Sequence, residues 1–308
     1  MTKKSVAILG AGAWGKALAT LAQSNAHNVK IYSRRGSQTL AQTVENADII
    51  LSADSMKGVR DVASQLQSLP ISPQTIFVTA TKGLDPQTTC TPSQIWQESF
   101  PDNPVVVLCG PNLSKEITQE LPAATVVASN IESAAQLVQL VFNSTRFRVY
   151  TNPDPLGVEL GGTLKNVMAI AAGVCDGLQL GTNAKAALLT RGLTEMVRIG
   201  VHWGAKPETF YGLSGLGDIL ATCNSPLSRN YQVGYQLGQG KTLAEILSQL
   251  QETAEGVNTA SVLVQRAKQQ NISMPITKEV YRLLQAEVTP RQALLDLMKR
   301  DIKPEVDS

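Results

Sequence analysis

Along the first half of the chain, short apolar runs alternate with stretches in which apolar residues recur at helical spacing. Val6–Leu9 is the first run, and the residues after Gly15 continue with Ala and Leu at helical intervals. Val29–Ser33 reads as a second strand, and a short helix-like piece then leads through Ala47 and Ile49–Leu51 into a third. Met56–Leu69 fits an amphipathic helix. Residues 74–83 form a buried strand ending at Thr81-Lys82-Gly83, and residues 104–112 another ending at Gly110-Pro111-Asn112. Residues 124–129 and 146–151 give two more strands, with a helix over Ile131–Phe142 between them. Near-continuous apolar strands alternating with helices predict an α/β unit with a mostly parallel sheet covered on both faces.

The pattern changes at residues 151–157, TNPDPLG, which reads as a boundary between domains 1–152 and 153–308. Beyond it, residues 157–178 and 183–205 are rich in Ala, Gly and Val, as suits buried helices packed closely together. Further helices are predicted over Thr242–Gln251, Asn258–Gln269, Ile276–Leu284 and Thr289–Lys299, making the second domain all α.

A length of 308 residues allows two such cores. The net charge of +2 gives no electrostatic reason to expect nucleic acid or an anionic membrane as the main partner. No uninterrupted apolar run reaches the roughly 18 residues of a membrane span. The four cysteines (Cys90, Cys109, Cys175, Cys223) are scattered, which predicts free thiols in a cytoplasmic setting. With only two histidines beside them, no metal site is expected.

Chemistry concentrates at the strand ends. Gly10, Gly12 and Gly15 follow the first strand and open a helix, in the spacing G-x-G-x-x-G. There they allow a tight turn, close approach of a pyrophosphate, and close packing of helix on strand, which marks a Rossmann-type dinucleotide site. Where an NAD-preferring unit places a carboxylate, this chain has Ser33, Arg34 and Arg35. Guanidinium groups attract a 2′-phosphate, so NADP(H) is the expected preference with NAD(H) possible, unless the pair is merely a solvated strand end. Lys82 and the Gly110–Asn112 loop lie where ligands of parallel sheets sit. Proton transfer needs a donor. His27 and His202 are better read as structural, whereas Lys165 interrupts an otherwise apolar stretch, either as a functional group or as a snorkelling side chain. Asp218 could pair with Lys165, bind a hydroxyl or cap a helix. Ser228-Arg229-Asn230 offers phosphate-binding chemistry, or a surface arginine at a helix start.

Taken together, GAGAWG (10–15), ATKG (80–83), CGPN (109–112), residues 157–177, TRGLTEM (190–196), GLSGLGD (212–218), SRN (228–230), EGVNTA (255–260) and MPIT (274–277) resemble the bacterial-type NAD(P)-dependent glycerol-3-phosphate dehydrogenases over nearly the whole chain. The resemblance implies reversible reduction of dihydroxyacetone phosphate to sn-glycerol 3-phosphate for glycerophospholipid synthesis, and a homodimer. It implies that Lys165 is the acid/base. Lys82, Gly110, Asn112, Asn166, Asp218, Ser228, Arg229 and Asn230 would hold substrate. Gly10, Gly12, Ala13, Trp14, Gly15, Arg34, Arg35, Lys82, Ser114, Arg229 and Glu255 would contact the cofactor.

The chain also departs from that pattern. Ala13 stands where Ser is usual, Asn112 replaces Ser or Thr, and Ser52-Ala53-Asp54-Ser55 replaces Ala-Val-Pro-Ser. The segment between Arg35 and Ala47 is much shorter than in the family, which bears on how the adenosine end is covered. Two other readings stand beside this one: a β-hydroxyacid dehydrogenase or ketopantoate reductase of the same plan, and a nucleotide-binding protein without catalysis.

Overall fold

The computed structural model describes residues 2–250, 254–302, 304 and 305. The first half alternates β1 (Ser5–Leu9), α1 (Ala13–Ser24), β2 (Asn28–Tyr32), α2 (Leu40–Val44), β3 (Ile49–Ser52), α3 (Met56–Gln67), β4 (Ile76–Thr79), α4 (Pro92–Ser99), β5 (Val105–Cys109), α5 (Ser114–Thr118), β6 (Ala123–Ala128), α6 (Glu132–Phe142) and β7 (Phe147–Asn152). The second half is helical: α7 (Pro155–Gly177), α8 (Gly181–His202), α9 (Asp218–Cys223), α10 (Arg229–Gly238), α11 (Leu243–Gln249), α12 (Glu255–Gln269), α13 (Pro275–Leu284) and α14 (Pro290–Met298). Gln251, the predicted end of the helix that begins at Leu243, lies outside the described residues.

The seven strands form one sheet in the order β2-β1-β3-β4-β5-β6-β7. All neighbours are parallel except β5 and β6, where Leu108 pairs with Val127 in antiparallel register. The short α5 turns the chain back on itself there, a reversal that apolar runs do not encode. Alternate strand residues feed the two faces. Val6 and Ile8 pack under α1 and α6, while Ala7 and Leu9 pack under α2, α3 and α4. On the α7 side, Val107 and Cys109 of β5 meet Val158.

At residues 151–157 the sheet passes almost directly into the helical half. Thr151 and Asn152 complete β7, and α7 starts at Pro155. Asp154 binds the joint tightly. Its carboxylate accepts from Gly157 N at 2.9 Å, Lys206 N at 2.9 Å and the Thr209 hydroxyl at 2.7 Å.

Helix α7 is the axis of the second half, buried at every position from Gly157 to Gly173. It is long and apolar enough to cross a membrane, and 94% of its most apolar window is buried inside the protein, as a core helix would be. Gly173 and Gly177 of α7 face Gly234 and Gly238 of α10 at i, i+4 spacing. A Cβ at Gly234 would overlap the Ile170 carbonyl oxygen and lie 3.0 Å from Ile170 Cα. The two backbones therefore touch along a glycine seam. Helix α8 differs from the reading as a buried helix: only Gly192, Leu193, Glu195, Met196, Ile199 and Gly200 are buried, and its other side is partly or fully exposed.

Candidate active site

The carboxyl ends of β1, β3 and β4 open into a cleft of about 890 Å³. That volume falls within the range of about 300–1,000 Å³ common for ligand and cofactor sites. The sheet order reverses around β1, so the crevice lies where open α/β sheets bind ligands. At its floor, Gly10 adopts φ +115°, a conformation that side chains resist, and a Cβ there would meet the Ala53 carbonyl oxygen at 2.8 Å. Gly12 has open space around its missing Cβ and stands at the start of α1, which has no side-chain cap. Free N–H groups beside open space suit a pyrophosphate, so the residues present fit a dinucleotide.

Of the predicted residues, Gly10, Gly12, Ala13, Trp14, Arg34, Arg35, Lys82, Asn112, Ser114, Lys165, Asn166, Asp218, Ser228, Arg229, Asn230 and Glu255 all line this one cleft. Gly15 and Gly110 do not. A Cβ on Gly15 would overlap the Gly10 carbonyl oxygen, so its absence lets α1 close on the glycine turn. Gly110 is pressed against β6, where a Cβ would stand 2.9 Å from Thr125 Cα, and its carbonyl lies 3.5 Å from Lys82 Nζ. Several side chains in the cleft are spent on protein contacts. The Asn112 amide donates to the Ala124 carbonyl and accepts from Thr125. Ser228 caps α10 by accepting from Tyr231 N, and Asn230 accepts from Gly256 N at 3.0 Å, fixing the start of α12.

The reactive corner is built on α7. Adjacent Gly161 and Gly162 let two segments come close to that helix. A Cβ at Gly161 would stand 2.8 Å from the Ser214 carbonyl oxygen, and one at Gly162 would overlap Cys109 Sγ. The first contact seats the wide π-turn Leu213–Gly217, which delivers Asp218 at the head of α9; the second seats the end of β5. Asp218 is 1% exposed and meets two lysines, with Oδ2 2.5 Å from Lys82 Nζ and Oδ1 3.2 Å from Lys165 Nζ. Thr222, four residues on, accepts from Lys165 at 2.5 Å and donates to Asp218 at 2.9 Å. Reasoning from the sequence missed Thr222. Its signal was the i, i+4 spacing from Asp218 on one helix face.

One carboxylate cannot compensate two ammonium groups equally. Burial presses Lys165 below the ordinary lysine range; Asp218 opposes this in part, and the nearby charge of Lys82 adds to it. Burial also works against charge on Lys82, but the Asp218 carboxylate outweighs it and holds Lys82 above that range. Burial alone would raise Asp218; Lys165 and Lys82 together keep it below the usual carboxylate value. Burial and charge thus set the two lysines apart, with Lys82 held towards its charged form and Lys165 pressed towards its neutral one.

A crevice that fits a dinucleotide on one wall, and a buried lysine bonded to a carboxylate on the other, suit a nicotinamide-dependent oxidoreductase. Comparison with known proteins narrows this. Residues 5–40 and 35–135 match the NAD-dependent glycerol-3-phosphate dehydrogenase N-terminus, and residues 154–295 match the corresponding C-terminus. The glycerol-3-phosphate dehydrogenase (NAD(P)+) of Trichormus variabilis is 74% identical over 305 residues, 99% of either chain. The crystal structure of glycerol-3-phosphate dehydrogenase from Coxiella burnetii is 34% identical and superposes with a TM-score of 0.93, covering 97% of this chain and 99% of that one. The chain belongs to the NAD-dependent glycerol-3-phosphate dehydrogenase family. A ketopantoate reductase from Ralstonia eutropha, 12% identical with a TM-score of 0.56 over 94% of this chain and 99% of that one, shares the fold alone.

Proposed function

We propose that this chain reversibly reduces dihydroxyacetone phosphate to sn-glycerol 3-phosphate with NAD(P)H, using Lys165 as the acid/base. The observation that carries the role of Lys165 is its position, 6% exposed at the cleft wall yet bonded to Thr222 and Asp218. The cofactor supplies and accepts the hydride. In reduction the Lys165 ammonium gives its proton to the carbonyl oxygen as negative charge develops there; in oxidation the amine takes the hydroxyl proton. Lys82 stays charged and stabilises the same oxygen. The first turn of α10, with Arg229 at its head, suits the phosphate. Residues 1–152 would hold the cofactor and 153–308 the substrate.

Arg34 and Arg35, exposed at the rim beyond β2, support a preference for the 2′-phosphate of NADP(H). The four free cysteines, three of them buried, agree with a cytoplasmic setting, where the product would feed phospholipid synthesis. A homodimer, read by light scattering, belongs to the same proposal.

Nicotinamide absorbance tests it directly. Purified protein should oxidise NADPH only when dihydroxyacetone phosphate is present, and faster than NADH at low coenzyme. Lys165→Met should lower kcat by about 100-fold or more. Turnover near wild type in that variant excludes the assigned role.

A further inference from the structure

A cofactor seated at the glycine turn and reacting beside Lys165 has to cross the end of β3, the strand between β1 and β4. The residue there is Asp54. A Cβ at Gly10 would come within 3.0 Å of Asp54 N, and the Thr81 hydroxyl donates to the Asp54 carbonyl at 2.9 Å. Asp54 is therefore bracketed between the glycine turn and the Thr81–Lys82 corner, and it lines the cleft. One carboxylate oxygen accepts from Ser55 N at 2.9 Å. The other lies over Gly58, 3.1 Å from where a Cβ would stand. From the opposite wall, Glu255 accepts from Met56 N at 3.3 Å. The positive end of α3 is thus faced by two carboxylates. The start of α1 has no side-chain cap and no acidic residue in its first turn. Anionic phosphates belong at α1, and the end of the cofactor that carries positive charge when oxidised belongs at α3.

We propose that Asp54 makes the cleft select the oxidised nicotinamide over the reduced one. This rests on the dinucleotide reading of the cleft given above. The oxidised ring carries one positive charge and the reduced ring none, while the phosphates and the adenosine are common to both. The ratio of the two affinities therefore isolates the charge at the ring. Asp54 acts on that ratio through its negative charge, and its removal leaves Glu255 alone against the dipole of α3.

The test is direct binding. Dissociation constants for NADP+ and NADPH are measured separately by quenching of protein fluorescence, to which Trp14 in the cleft contributes. The proteins are wild type, Asp54→Asn and Asp54→Ser; both replacements keep an acceptor for Ser55 N. A carboxylate several ångström from the ring in a half-open cleft should shift the ratio about five- to tenfold. NADP+ should weaken by that factor in both variants, with NADPH changed less than twofold. Added salt should compress the wild-type ratio more than the variants' ratio, which keeps only the remaining charges of the cleft. Equal changes for both forms, or none, overturn the role of Asp54. Failure of wild type to bind either form overturns the dinucleotide reading together with it.

Discussion

Glu159 is buried on α7, 2% exposed, and the proposed chemistry does not use it. Its carboxyl group accepts from Ser93 N at 2.9 Å and from the Ser93 hydroxyl at 2.5 Å, joining α7 to the first turn of α4. Burial is the main influence and pushes its pKa from 4.5 up to about 7, against hydrogen bonds from Ser93 and Thr91 that favour the charged form. A group raised on folding holds its proton more tightly in the native state. Its stabilising share is therefore complete below the unfolded value and is lost as pH rises through the folded one. The displacement of 2.5 pKa units, from 4.5 to about 7, corresponds to a loss of about 3 kcal/mol. Glu159→Gln keeps an acceptor for Ser93 N and offers an N–H to the Ser93 oxygen, yet cannot ionise. Wild type and variant should therefore be closest in stability at pH 5 and diverge towards pH 8, the variant gaining about 2–3 kcal/mol on wild type across that span. Urea unfolding of both proteins at half-unit pH steps gives the difference curve. A difference that does not vary with pH would refute the reasoning, because it would mean that Glu159 titrates alike in the folded and unfolded chain.

Three further outcomes follow from the geometry. Because burial lowers the pKa of Lys165, dihydroxyacetone phosphate reduction should fall as pH rises through a value below 10.5, and glycerol 3-phosphate oxidation should rise through it; initial rates in both directions check this, and inflections lost in Lys165→Met would tie them to that group. Gly234→Ala forces a Cβ into the Ile170 carbonyl, and overpacking of about 1–3 kcal/mol should exceed the roughly 1 kcal/mol of helix propensity gained. It should melt lower than wild type and, since α10 carries Arg229, raise KM for the phosphorylated substrate; a melting point at or above wild type would show that the seam yields. Gly12→Ala meets no neighbouring atom within 4 Å, so its melting should match wild type while calorimetry shows cofactor affinity reduced about tenfold or more; unaltered binding would remove the crevice assignment.

Most strands were legible because each buried strand is a compact apolar run between polar ends, as Ile49–Ser52 and Val105–Cys109 show. Direction was not legible, since residues 123–128 read alike whether β6 runs with β5 or against it. Helix α8 was misread for a related reason. Its Ala, Leu and Gly content suits burial, but Thr190, Arg191, Thr194 and Arg198 gather polarity on one broad side, and composition alone ignores that placement. Lys165 stood out because a charge within an apolar helix demands a partner. The partner network did not stand out: Thr222 is an ordinary helical residue until the π-turn at 213–217 brings α9 against α7.

The polar residues of the cleft show where reading by residue type stops. Ser228, Asn230 and Asn112 all look like ligand-binding groups, and all three use side-chain atoms on this chain's own backbone. Ser228 caps its own helix, and the other two join elements that approach the cleft separately: Asn112 links the β5 loop to β6, and Asn230 links α10 to α12. A hydroxyl or amide in a motif is equally suited to holding a ligand and to holding the loop that holds it. The lysines differ, because each ammonium needs a counter-charge and the buried carboxylate of Asp218 is bonded to both. The glycines are less ambiguous still. What a missing Cβ would strike shows where the frame is closed, as at Gly15, Gly161 and Gly162, and where the cleft leaves room beside the backbone, as at Gly12. The site is therefore defined first by where backbones are allowed to touch, and the charged side chains follow from that placement.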